Sequence, residues 1–160
     1  MKDSLKTLLI VIGVIVVICI GGCSFYSGNY NKMVELDEQV SGAWAQVQNV
    51  YQRRYDLIPN LVETVKGYAS HESQVFSDIA EARSKVGGVI QISAEDLDDP
   101  AKMKAFQEAQ NSLGGALQRL LSVTENYPAL QANQNFLALQ DQLEGTENRI
   151  TVERGRYNEA

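Results

Sequence analysis

Cysteine is absent from this chain after residue 23; Cys19 and Cys23 are the only two. The remainder therefore has no disulfide framework and must be held by its core. Histidine is scarcer still, with His71 alone. His71-Glu72 begins like a zinc-protease motif, but Val75 stands where the second histidine belongs, so the usual His/Cys metal site has no ligand set. No G-x-S-x-G elbow accompanies His71 to suggest a hydrolytic triad. The glycine pairs Gly87-Gly88 and Gly114-Gly115 match no phosphate-binding fingerprint. Glu95, Asp96, Asp98 and Asp99 crowd one stretch without EF-hand spacing. No metal and no cofactor is expected. The formal net charge is −6, and no Lys/Arg tract interleaved with aromatics occurs, which argues against a nucleic-acid partner. Proline appears only at 59, 100 and 128, a composition that favours helix.

Only one long apolar run exists, and it dominates the reading. No charged residue falls between Lys6 and Lys32, and Leu8 to Ile20 is almost wholly apolar. Thr7 to Tyr26 supplies the roughly 20 uncharged residues that one spanning helix needs. Phe25, Tyr26 and Tyr30 suit an interfacial aromatic belt. Lys2 and Lys6 precede the run, while Lys32, Glu35, Asp37 and Glu38 follow it. The positive flank predicts that the rest of the chain lies outside the cytoplasm. Ile20-Gly21-Gly22-Cys23 also has the form of a lipobox, which makes Cys23 a lipidation candidate. Residues 1–28 are thus expected to be a membrane anchor, either a transmembrane helix or a lipoprotein signal ending at Cys23.

Residues 29–160, about one ordinary domain in size, are expected to be an all-α bundle. Val40, Trp44, Val47, Tyr51, Ile58, Leu61, Val65, Tyr68, Val75, Ile79, Ala82 and Val86 recur at helical spacing, interrupted by Arg54 and Glu72. Gly87-Gly88 ends that pattern. Asp98-Asp99-Pro100 opens a helix carrying Met103, Phe106, Leu113, Leu117 and Leu120. Gly114-Gly115 inside it marks a close helix approach or a kink. Asn126-Tyr127-Pro128 opens a last helix from about Ala129, with Phe136, Leu143, Ile150 and Tyr157 spaced by sevens. Pro59 leaves two architectures open. One helix from Tyr30 to Val86 would run roughly 85 Å, about twice the reach of the later helices. A reversal near Tyr55-Asp56, with Asp56 as cap and Pro59 in the first turn, gives an antiparallel, up-and-down four-helix bundle of long helices, and this is the preferred expectation.

YNKMVELDEQVSGAWAQVQNVYQRRYDLIPNLVETVKGYASHE and ENYPALQANQNFLALQDQLEGTENRITVERGRYNE resemble the LemA family of bacterial proteins. The resemblance implies a membrane-anchored helical bundle and brings no reaction with it. It also implies that relatives continue past the position of Ala160. The functional expectation is a non-enzymatic interaction or scaffold protein of the envelope. Its partners would be the lipid bilayer and other envelope proteins or its own copies. Arg53, Arg54 and Asp56 are the candidate contact patch, with the Asn/Gln-rich last helix as a second. An accessory hydrolase built on His71, or a small-ligand receptor with Arg54, Glu72 and Gln110 turned inward, are the alternatives.

Overall fold

The computed structural model describes residues 2–93 and 96–160, with side chains from Ile12 onward. Glu95 and the anchor-flanking side chains of Lys2, Asp3 and Lys6 lie outside the described residues. The described chain is all-helical. The elements are α1 (Lys2–Lys66), α2 (Ser73–Gly87), α3 (Pro100–Thr124), α4 (Pro128–Gln131) and α5 (Gln134–Glu159). They fall into two compact units, Met1–Val40 and Ser41–Ala160.

The first unit is the beginning of α1. Its apolar side chains have nothing over them: Val17 is 69 % and Ile18 66 % exposed. By length and composition this helix can cross a membrane. Beyond the apolar run, Tyr26 stacks on Tyr30 at 6.4 Å and Lys32 pairs with Glu35 at 2.9 Å. Residues 29–39 are all exposed.

In the second unit, α1 continues through Pro59 to Lys66. The expected reversal at Tyr55-Asp56 does not occur. Asp56 caps nothing; it accepts a hydrogen bond from Gln52 Nε2 at 2.8 Å, one turn earlier. A proline inside a helix removes one backbone hydrogen bond and costs about 3 kcal/mol. Around it, Ile58, Leu61 and Val65 are all buried, and burying each such side chain stabilises by about 1.5–3 kcal/mol. The uninterrupted phase of the stripe wins. The helix stops instead at Lys66-Gly67, where the amides of Tyr68 and Ala69 both turn back to the Val65 carbonyl at 3.0 and 2.9 Å.

The later boundaries have local causes. Asp99 caps α3 by accepting from the amides of Ala101 and Lys102 at 2.9 and 3.3 Å, with Pro100 in the first turn. Where one final helix was expected from Ala129, the chain makes the single turn α4 and restarts. Asn133 is the reason: its side chain accepts from the Phe136 amide at 3.0 Å and donates to the Tyr68 hydroxyl at 2.8 Å. α2 ends where the glycines stand, and Gly87 lies close under Tyr55, whose hydroxyl would meet an added Cβ at 3.1 Å.

Two apolar clusters fill this unit. The larger joins Ile58, Leu61 and Val65 of α1 to Ile79 and Val86 of α2, Leu113 and Leu120 of α3, Leu130 of α4, and Phe136 and Leu143 of α5. The smaller gathers Trp44, Val47, Tyr51, Ile92, Phe106 and Ile150. Its rings meet edge-on or tilted, Trp44 with Phe106 at 5.5 Å and with Tyr157 at 5.2 Å, and Tyr51 with Phe106 at 5.1 Å.

Candidate functional site

Three polar residues occupy positions that the helix periods would give to apolar ones. Arg54 follows Tyr51 by three and precedes Ile58 by four, Gln110 stands between Phe106 and Leu113, and Glu147 between Leu143 and Ile150. Folding brings them together. Arg54 is only 4 % exposed. Its Nη1 donates to both Glu147 carboxylate oxygens, at 2.9 and 3.2 Å. Its Nη2 donates to the Gln110 carbonyl at 3.3 Å and to Gln110 Oε1. The guanidinium lies 5.1 Å from the centre of the Tyr51 ring. Charge-assisted pairing of this kind is what lets a guanidinium stay buried. Two donors remain unmatched: Arg54 Nε and Gln110 Nε2 are buried without a hydrogen-bond partner.

A groove between α3 and α5 passes over this cluster. Its polar half, about 380 Å³, is lined by Arg54, Gln110, Asn111, Thr151 and Arg154 among others. Its apolar half, about 460 Å³, is lined by Leu117, Leu121 and Leu143, with Glu144 and Glu147 at the edge. Gly114, Gln118 and Glu147 line both halves. Gly114-Gly115 seats no neighbouring helix, since a Cβ on either would meet nothing within 4 Å.

The residues of the sequence-derived patch separate. Arg53 and Asp56 are exposed, whereas Arg54 turns inward to Glu147. Cys23 is an exposed residue of α1 in the first unit. His71 is exposed in the turn after α1. Glu72 does not join Arg54 and Gln110; its carboxylate accepts from the Tyr127 hydroxyl at 3.0 Å, which raises the Tyr127 pKa. Among the described residues no group of three His, Cys, Asp or Glu is placed to hold a metal ion.

A second cleft, about 460 Å³, is lined by Gln48, Asn49, Gln52, Gln91, Ser93 and Asp96. Its loop is pinned at Ile92, whose carbonyl accepts from Trp44 Nε1 at 3.0 Å and from Gln48 Nε2. Asp96 is held at about pKa 2, first by hydrogen bonding to Lys102 and then by Ser93, whose hydroxyl donates at 2.7 Å and amide at 3.1 Å. Lys102 is raised in return by the same carboxylate.

Sequence reasoning missed Glu147. The signal was present, because a polar residue four after Leu143 and three before Ile150 sits on the buried stripe.

The chain is 30 % identical over 146 residues to magnetosome protein MamQ 2 of Paramagnetospirillum magneticum, covering 82 % of this chain and 54 % of that one. It is 28 % identical over 144 residues to magnetosome protein MamQ of Magnetospirillum gryphiswaldense, covering 81 % and 53 %. It is 24 % identical over 133 residues to protein LemA of Metamycoplasma hominis, covering 83 % and 56 %. The chain thus spans about half the length of the relatives it matches. The model of the LemA family matches residues 43–160, and the chain belongs to that family.

Proposed function

We infer that this chain is a membrane-anchored interaction protein of the bacterial envelope. Its Ser41–Ala160 unit packs as an antiparallel, up-and-down four-helix bundle and serves protein–protein contact or self-assembly rather than turnover. The observation that carries the reading is the apolar run from Ile12 to Ile20, whose large side chains are 48 to 69 % exposed. A bilayer is the medium that covers such a run at no cost. The order of contacts supports the bundle. Trp44 meets Tyr157, Arg54 meets Glu147 and Tyr68 meets Asn133, so α5 descends as α1 ascends. Arg119 meets Asp78 and Tyr127 meets Glu72, the same opposition between α2 and α3.

The basic flank before the run orients the bundle outside the cytoplasm. The anchor is a spanning helix or an acylated Cys23, and Cys23→Ser separates them: precursor accumulates and acylation is lost only for a lipoprotein. Contact as the role is tested by cross-linking in intact membranes followed by affinity capture. Discrete adducts with a reproducible envelope protein or with further copies are expected. Recovery of monomer alone contradicts the reading.

A further inference from the structure

The groove between α3 and α5 carries two unrelated anomalies at one place. Paired glycines inside a helix destabilise it relative to alanine, and nothing in this fold repays Gly114 and Gly115, because the space above them is empty. Glycine at such a point admits the close approach of another backbone. Beneath the same groove, Arg54 and Gln110 are both 4 % exposed, and Arg54 Nε and Gln110 Nε2 have no acceptor. Unmatched buried donors call for an acceptor.

We propose that this groove binds an extended polypeptide segment of a partner protein, with a large apolar side chain against Leu117, Leu121 and Leu143 and an adjacent main-chain carbonyl accepting from Gln110 Nε2. Main-chain hydrogen bonds with a neighbouring side-chain pocket are a recurring mode of peptide recognition, and about 460 Å³ in the apolar half falls in the range of ligand sites. A neutral carbonyl suits the polar half better than a carboxylate, since Glu147 already neutralises Arg54. A second copy of this chain fits poorly. Outside residues 1–28, the large apolar residues it exposes among the described residues are Tyr30, Met33, Val34, Leu36, Leu137 and Val152 in helices, and Tyr68, whose hydroxyl is engaged by Asn133. Helical carbonyls are already bonded to their own backbone.

The proposal rests on the contact role inferred above, and its test separates the two. A photo-crosslinking side chain is placed at Gln118, which lines both halves of the groove, and for comparison at exposed Ser77 on α2, in the full-length chain in intact membranes. Each chain is also combined with Gly114→Leu, which fills the gap, or Gln110→Glu, which keeps an acceptor for Arg54, removes the unmatched donor and adds one negative charge. An adduct at Gln118 is expected, its peptide bearing a large apolar residue. Gln110→Glu should lower its yield by roughly tenfold, the worth of one well-placed hydrogen bond with its desolvation, and Gly114→Leu should lower it by filling the groove while the thermal unfolding midpoint is unchanged or higher. An adduct that is insensitive to both variants, is lipid, or is a second copy of this chain overturns the groove assignment. Adducts at Ser77 without any at Gln118 overturn it too and leave the contact role standing. No adduct at either position overturns both.

Discussion

Two stretches of α1 differ in how densely apolar they are and in how the apolar residues are arranged. Between residues 12 and 20 the apolar side chains surround the helix, and Val17 is 69 % exposed; between 44 and 65 they keep to one stripe, and Val47 and Val65 are at 1 and 0 %. A helix apolar all round is matched to lipid, and a helix apolar on one stripe is matched to other helices. The difference shows that the period of the apolar residues, together with their density, tells which solvent a helix is built for.

Substitutions on the two stretches should therefore break one property each. Leu61→Ala, inside the larger cluster, should destabilise the second unit by about 2–5 kcal/mol, seen in denaturant unfolding of the detergent-extracted protein, with membrane association unchanged. Val17→Arg should do the converse, costing about 2.5–3.5 kcal/mol of insertion and moving the chain towards the soluble fraction without altering the unfolding transition. Glu147→Ala probes the polar interruption of the stripe. Arg54 would lose its carboxylate but keep Gln110, and Glu147 is half-exposed, so a loss of about 1–3 kcal/mol is expected, larger than for Glu147→Gln.

The smallest effect concerns the loop before α3. The folded pKa of Asp96 lies at about 2, below its ordinary 3.8, so the unfolded chain takes up the proton first as pH falls. The contribution of this carboxylate is present above 3.8 and is lost as pH falls from there through about 2. A carbon-detected titration should place its midpoint near the lower value, and Lys102→Ala should move it upward. Membrane association should not respond, since no carboxylate lies in the apolar run.

Much of the fold was legible in the residues. The unbroken phase across Pro59, Gly87-Gly88 as a stop and Asp99-Pro100 as a start correspond to what is observed, whereas the break between Lys66 and Ser73 was hidden because the apolar stripe runs on through Tyr68 and Val75. The preference for a reversal at Asp56 came from balancing helix lengths, a global argument that local phase overrode. The restart at Asn133 was obscured because Pro128 is itself a good helix start, and the deciding bond to Tyr68 spans 65 positions. The candidate site was half legible. Arg54 and Gln110 stood out as polar residues with inward phase, but the partner that neutralises Arg54 is 93 positions away, a distance at which sequence phase can nominate Glu147 and only packing can assign it.

The central claim is that a bilayer covers the first stretch and displays the second unit outside the cytoplasm. Protease treatment of intact spheroplasts, followed with antibodies to each end of the chain, tests it most directly. The account predicts loss of the C-terminal epitope, with a small membrane-retained remnant that includes residues 12–26. A full-length chain that survives until the spheroplasts are lysed would contradict it.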